Sequence, residues 1–365
     1  MSVIALSQSL ENTAFADLIQ EETEPVVEEY NLSLLAVGDN LIHSPIYNKA
    51  YIGNGEYDFT PMYANVKDFV SSYDLAVINE ETILVNDDRN ISSYPCFGTP
   101  IEMGNALIDT GFDVILSATN HTWDKKLTGV VNTIDFYKQF PDIILLGVHD
   151  SVEDYNTVDI IEKNGIKLAM FNYTYGLNGF TVPSDKYYMV DLLDNKEKFI
   201  SDIQSVENDV DFTIAFLHIG TEYTYTPTTY QVNYINDVID AGADIVICFH
   251  PHVIEPYGEV TTPNGNTGLV YYSCGNFISG QTEVPRVLGG MASINLKKET
   301  TDGVVTSVSI DSFDFIPVVT HYTKTEHTVY LLDDYTEELA SKHTLHSKGL
   351  TLQSLWDLWN KVISN

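Results

Sequence analysis

Short apolar runs alternate with segments of helical periodicity through the first half of the chain. Residues 32–37, 74–78, 112–116 and 143–146 are brief, aliphatic and bounded by Gly, Asp or Asn, and they predict strands. Between them, residues 61–71 place Val66, Phe69 and Val70 on one side of a predicted helix. Residues 101–110 read as a helix stopped by Gly111, and 127–140 as one ended by Pro141. Strand–helix alternation of this kind implies βαβ units and parallel pairing.

The middle of the chain changes character. Residues 158–161 and 167–171 flank Asn164-Gly165, the strongest short hairpin signal, so antiparallel strands join the sheet. A helix is predicted over 195–206, a strand over 212–217, a helix over 230–241 and a strand over 244–248. A second hairpin spans 257–272 around Asn264-Gly265, and 292–296 and 304–310 add further strand. Leu355, Leu358, Trp359 and Val362 form a stripe that predicts a docked helix at about 352–363. The sum is one α/β domain over residues 31–365, with two mixed sheets and helices outside.

Composition narrows the function. Of 365 residues, 18 are Lys or Arg and 52 are Asp or Glu, a formal net charge of −34, so nucleic acid and anionic membrane surfaces are repelled. Most of that charge is read as a solvated surface that keeps a secreted protein soluble. Three cysteines make no complete disulfide framework; Cys248 and Cys274 sit in apolar runs and read as small buried hydrophobes. No run approaches the roughly 20 apolar residues of a membrane-spanning helix.

At the N-terminus, residues 1–10 are mildly apolar and Ala14-Phe15-Ala16 fits a small-x-small cleavage site, but a basic stretch is missing. The reading favoured is the remnant of a signal peptide that begins upstream, with a mature chain starting at Asp17. The alternative is a disordered cytoplasmic tail. Residues 21–29 read as an acidic linker, and 1–30 as disordered.

The chemistry gathers at strand ends. The run 244–248 leads into His250-Pro251-His252, and ligands in open α/β sheets collect at the carboxyl ends of strands. Asp39, Glu81, Asn120-His121 and His218 also follow strand-like runs. One such residue alone would be a hydrogen-bonded structural group. Together they form a mixed N/O set that suits one or two divalent ions, Mn, Fe or Zn, and leaves Ca unfavoured. Glu81 could bridge two ions. His121 is the candidate general acid, with Asp124 orienting its imidazole. Glu222 is a candidate hydrogen-bond partner beside His218, and Glu80 is expected to point elsewhere, toward backbone or solvent. Asn276 reads equally as a substrate contact or a plain turn residue. His43, close after Asp39, is the other histidine to watch.

In order, the motifs GDNLIH (38–43), INEET (78–82), TNHTWD (119–124), HIGTEY (218–223), HPHVIEPYGE (250–259) and SCGNF (273–277) resemble the CapA (PGA_cap) family of poly-γ-glutamate capsule synthesis proteins. The resemblance spans about residues 32–278. It implies a calcineurin-like metallophosphatase fold, a four-layer αββα sandwich with metals at the strand ends. Carried over by position, Asp39, Glu81, Asn120, His218, His250 and His252 would hold metal, and His121 matches the histidine of the family's Asn-His pair. The proton-transfer role of His121 with Asp124 rests on their spacing, and Glu222, Asn276 and His43 are read from their own positions as residues that would meet substrate. One position departs from the pattern: Leu41 stands where related phosphoesterases have His, so either His43 substitutes or only one ion binds tightly. Glu80 and Cys274 stand where Leu is common.

The resemblance also implies an extracytoplasmic, envelope-associated role. Its partners would be an envelope polymer or its precursor and the membrane proteins of capsule synthesis. Two function classes follow: a metal-dependent hydrolase of a phosphoester or amide-type bond, and a non-enzymatic accessory protein that binds polymer during synthesis or export. The 23 tyrosines would serve the second, as aromatic platforms, unless they are simply scattered.

Overall fold

A computed structural model of the protein describes residues 24–363. The apolar runs of the first half form four parallel strands, β1 (Val27–Leu41), β2 (Leu75–Asn79), β3 (Val114–Leu116) and β4 (Ile144–Leu146). The Asn164-Gly165 turn joins β5 (Ile160–Lys163) to β6 (Ile166–Thr174), and β7 (Phe212–His218) and β8 (Ile245–Phe249) continue in parallel with β6. The second hairpin is β9 (Tyr257–Thr261) with β10 (Thr267–Tyr271). Then come β11 (Asn276–Ser279), β12 (Leu288–Thr301), β13 (Val304–Tyr322) and β14 (His327–Leu331).

One sheet runs β14-β13-β12-β1-β2-β3-β4, with β11 parallel to the end of β1; the other runs β9-β10-β8-β7-β6-β5. Among the described residues the five longest helices flank them: α1 (Glu102–Thr110), α2 (Lys126–Tyr137), α3 (Lys196–Val206), α4 (Thr229–Asp240) and α5 (Leu352–Ile363). Helix α4 starts in a capping box between Thr228 and Gln231, and α1 stops where Gly111 turns left-handed at φ 103°.

Alternation along the strands builds the layers. Leu32, Leu34 and Ala36 of β1 face Ile214, Phe216, Ile245 and Ile247 of the other sheet. Leu35 and Val37 face outward to Met103 and Leu107 of α1 and Phe136 of α2. On the far side, Ala215, Leu217, Val246 and Cys248 pack against Phe199 and Ile203 of α3 and Ile235 and Val238 of α4. Strands buried on both faces are apolar throughout, which is why they read as continuous runs. The result is the expected order of helix, sheet, sheet and helix. Leu355, Trp359 and Val362 of α5 close the inner core, with the Trp359 ring 5.1 Å from that of Phe315.

Three expectations change. The acidic segment before residue 31 is strand from Val27 onward, paired Val27 to Thr301 in β12; backbone ladder bonds hold it although its side chains are exposed. The helix expected over 61–71 is a 3₁₀ turn (Thr60–Met62) and one short helix (Lys67–Val70). Tertiary bonds interrupt it: the buried Tyr63 hydroxyl donates to Asn40 at 2.6 Å, and the Asn65 amide donates to Thr328 at 3.1 Å. Strands β11 and β14 were not foreseen. The expected cleavage site lies outside the described residues. Cys248 and Cys274 are buried free thiols. No helix among the described residues is long and apolar enough to cross a membrane.

Candidate metal centre at the strand ends

Parallel pairing within each sheet, and packing of the sheets face to face, bring the ends of β1, β2, β7 and β8 together. Asp39 lies near the end of β1, within its buried stretch and opposite Asn79 of β2, and His218 ends β7 opposite Phe249 of β8. The Asn79 amide donates to Asp39 Oδ1 at 2.8 Å and lies 3.3 Å from His218 Nδ1, tying one sheet to the other. The His250 backbone N–H points at Asp39 Oδ1, 3.4 Å away. His252 Nδ1 lies 2.9 Å from Asp39 Oδ2 and 3.1 Å from Asn276 Oδ1.

Three groups of donor atoms, each within 4.8 Å, result: Asp39–Glu81–His252, Glu81–His218–His250 and Glu222–His250–His252. Glu81 belongs to two of them. It is fully buried, and neither carboxylate oxygen has a hydrogen-bond partner; His250 Nδ1 is likewise buried and unpartnered. A buried, unsatisfied carboxylate is costly, and a cation among these donors removes the cost. The donor set and the orphaned atoms therefore fit a divalent metal.

Backbone strain accompanies the cluster. His250 and His252 have φ of 98° and 58°, on either side of Pro251. Non-glycine residues held in this region cost about 1–3 kcal/mol each and concentrate at functional sites.

Electrostatics follow the burial. Desolvation drives the Glu81 carboxyl well above its usual range, against the pull of His252. Desolvation lowers the His218 imidazole, and it brings His250 to about 3 with help from the charges of His252 and His121. At His252 burial also lowers, but Glu81, the Asp39 hydrogen bond and Glu222 outweigh it and push the ring up to about 9. A dication bound here would reverse the balance at Glu81 and His252, favouring the ionised carboxylate and the neutral imidazole, the form in which burial already holds His218 and His250.

His121 Nδ1 is 2.7 Å from Asp124 Oδ2, so the pair expected from spacing is formed. Asp124 Oδ2 also accepts from the Phe97 backbone at 2.6 Å, and the Phe97 ring meets His121 edge-on at 4.7 Å. Asn120 Oδ1 lies 3.0 Å from His218 Nε2, and its amide donates to Asn178 at 3.2 Å. A cleft of about 440 Å³ opens here, lined among others by Asn120, His121, Asn178, Phe180 and Glu222. A second cavity, of about 360 Å³ around His149 and Asp191, shares no lining residue with it.

Several residues fall elsewhere than expected. His43 joins none of the three groups: its Nδ1 lies 3.1 Å from Leu41 O and 3.2 Å from Gly280 N, and its ring leans on Phe97. Asn276 is fully buried at the start of β11, with its amide committed to His252, Gln281 and the Arg286 carbonyl. It is neither a turn residue nor open to substrate. Glu222 is exposed but reaches a donor group directly. Glu80 does turn away, yet it is buried rather than solvated; it accepts from Tyr137 at 3.0 Å, and desolvation raises it to about 8.

Sequence reasoning missed Asn79, Tyr175, Asn178, Tyr223 and Arg286. Tyr175 tilts on His250 with ring centroids 4.6 Å apart, and Asn178 reaches His121 at 3.2 Å. The signal for both was their position: the loop begins directly after β6, at the same carboxyl edge.

The fold and site define an α/β sandwich with a carboxylate–histidine cluster buried at its parallel strand ends. The chain belongs to the family described as bacterial capsule synthesis protein PGA_cap, whose model matches residues 33–281. It is 31% identical over 202 residues to the PGA biosynthesis protein CapA of Bacillus subtilis (strain 168), covering 55% of this chain and 51% of that protein. It is 24% identical over 271 residues to the capsule biosynthesis protein CapA of Bacillus anthracis, covering 72% of this chain and 63% of that one. The chain thus spans only about half to five-eighths of these relatives. Among solved structures, the NAD nucleotidase NadN of Haemophilus influenzae is 11% identical with a TM-score of 0.45, covering 92% of this chain and 61% of that one.

Proposed function

We propose that the protein is a metal-dependent hydrolase of capsule or cell-envelope metabolism, acting outside the cytoplasm on a phosphoester or amide-type bond of an envelope polymer of the poly-γ-glutamate kind or its precursor. One observation carries the reading: Glu81, fully buried and with both oxygens unpartnered, sits among Asp39, His218, His250 and His252. Those residues, with Asn120 beside them, would hold one or two ions. A divalent metal held there supplies a nucleophilic water at neutral pH and polarises the scissile group.

The chain's own groups do the rest. Asp39 and Asn276 fix His252 by its Nδ1, leaving Nε2 toward Glu81 at 3.8 Å. Asp124 occupies His121 Nδ1, leaving Nε2 to protonate the leaving group in the cleft. Asn178 closes one side of that cleft.

A second reading, a polymer-binding accessory protein, draws support from exposed tyrosines at the site: Tyr94 lines the cleft at 75% exposure, and Tyr175 and Tyr223 are exposed beside the histidines.

Elemental analysis of protein purified without chelator comes first. One to two equivalents of Mn, Fe or Zn are expected in the wild type, with loss in the His250→Ala/His252→Ala double variant. A folded wild type that takes up no metal on titration sinks the hydrolase. In a screen of phosphoesters and amides, His121→Ala is expected to keep its metal and lose about 10²–10⁴-fold in turnover. Polymer binding without turnover in the wild type favours the accessory protein.

A further inference from the structure

The chain contains two arginines, Arg89 and Arg286. Arg89 is exposed and forked onto Asp87. Arg286 is different. Its guanidinium lies 3.5 Å from the centre of the Tyr223 ring, and that ring lies 6.0 Å from His252. One aromatic ring therefore separates it from the metal-ligand cluster. Among the described residues, no carboxylate comes within ion-pair distance of the guanidinium, in a chain with 52 acids. Glu283, the nearest acid in sequence, faces Lys348 at 3.5 Å instead.

The position is built. Val287 and Leu288, the next two residues, are fully buried. The Arg286 carbonyl accepts from Asn276 at 2.9 Å, and Asn276 Oδ1 faces His252 at 3.1 Å. Asn276 also donates to Gln281 at 3.1 Å, and Gln281 donates to the Tyr223 hydroxyl at 3.4 Å. One buried amide thus positions both His252 and the backbone that carries Arg286. Tyr223 is itself held left-handed at φ 66°, its N–H bonded to Pro251 O at 2.8 Å between the two histidines.

A guanidinium stacked on an aromatic face keeps its in-plane N–H groups free, and that fork matches the two oxygens of a carboxylate or phosphate. We propose that Arg286, seated on Tyr223, is the anion-recognising residue of this site: it binds a carboxylate or phosphate group of the substrate next to the metal-ligand cluster. The surrounding charge favours such a device, because a net charge of −34 repels an anionic substrate and a local cation offsets that repulsion. The proposal rests on the cluster being the reaction site, but the Arg286 contact itself needs no metal.

Calorimetric titration of the wild type, Arg286→Ala and Arg286→Lys with inorganic phosphate and with triglutamate tests it, each protein as purified and after chelation. Metal content and the thermal midpoint are measured alongside. The expected result is a loss of about tenfold or more in affinity for at least one probe in Arg286→Ala. Arg286→Lys should recover only part of it, because lysine keeps the charge without the fork. Loss for phosphate alone assigns a phosphate, loss for triglutamate alone a carboxylate, and loss for both the shared oxyanion chemistry. Equal affinities in wild type and Arg286→Ala, or no binding of either probe by the wild type, overturn the proposal. Metal content decides the hydrolase reading separately: a metal-free wild type that still loses anion affinity on Arg286→Ala keeps this inference and removes that one.

Discussion

At the residue scale, the centre is a set of groups that are poorly satisfied by one another. Asp39 is well bonded, to Asn79 and His252, whereas Glu81 has no hydrogen-bond donor at all. His218 Nε2 at 3.7 Å and His252 Nε2 at 3.8 Å are both too far from it for a hydrogen bond, and His252 is already held by Asp39 at 2.9 Å. Removing the Glu81 carboxyl should therefore relieve the metal-free protein. Glu81→Met is expected to raise the stability of chelated protein by about 1–3 kcal/mol, the cost of an unsatisfied buried polar group. The same variant should lose the rise in thermal midpoint that metal gives the wild type. A lower midpoint for chelated Glu81→Met would show that its charge interaction with His252 outweighs desolvation.

At the element scale, the site depends on how closely β1 approaches the turn before β11. A Cβ on Gly38 would lie 2.0 Å from the Gly275 carbonyl oxygen, and the Asp39 N–H bonds that same oxygen at 2.9 Å. Gly38→Ala must push the turn away, carrying Asn276 from His252. Urea unfolding is expected to show a loss of about 1–3 kcal/mol, the usual cost of overpacking, and elemental analysis a reduced metal content. Unchanged stability with full metal would mean that the turn moves freely. Most elements were legible: the strands that meet at the site, both hairpins and the helix stripes of α1 through α5 follow from apolar periodicity and Asn-Gly turns. Strand 27–31 was not, because its exposed, acidic residues carry no core pattern and are ordered by their ladder to β12. The helix over 61–71 failed for the opposite reason: its periodicity is sound, but Tyr63 and Asn65 are recruited by Asn40 and Thr328.

At the scale of the whole molecule, a second group of buried histidines lies where β13, β14 and the chain beyond them pack together. His327 Nε2 lies 2.9 Å from the Ser279 carbonyl, its Nδ1 has no partner, and its ring stacks on Tyr322. Burial, with Lys49 nearby, brings it to about 3. His321 and His343 fall to about 4 for the same first reason. The folded state therefore holds these rings neutral, while the unfolded chain protonates near its ordinary value of about 6.5. Their contribution is present above pH 6.5 and is lost as pH falls toward 3. Glu255, raised to about 8 by burial, works in the other direction, losing stability as pH rises through that value. A comparison with His327→Gln cancels that shared contribution. Across pH 6.5 to 3, the urea midpoint of the variant is expected to fall less steeply than that of the wild type. Parallel curves would show that His327 takes up its proton without cost to the fold.

The sequence by itself determined the layered α/β architecture and most of the centre: Asp39, Glu81, Asn120, His121, Asp124, His218, His250 and His252. It could do so because buried strands are written as local apolar runs, and the residue after such a run falls at a predictable edge. Tertiary structure decided what local pattern cannot express. Asn276 supports His252, Glu80 is buried against Tyr137, and His43 is tied to Leu41 and Gly280. Tyr175 comes to His250, and Arg286 to the Tyr223 ring beside His252, from other segments of the chain. Each of these roles is a contact between segments distant in sequence, set by how the two sheets and their loops converge, and no periodicity along the chain records it.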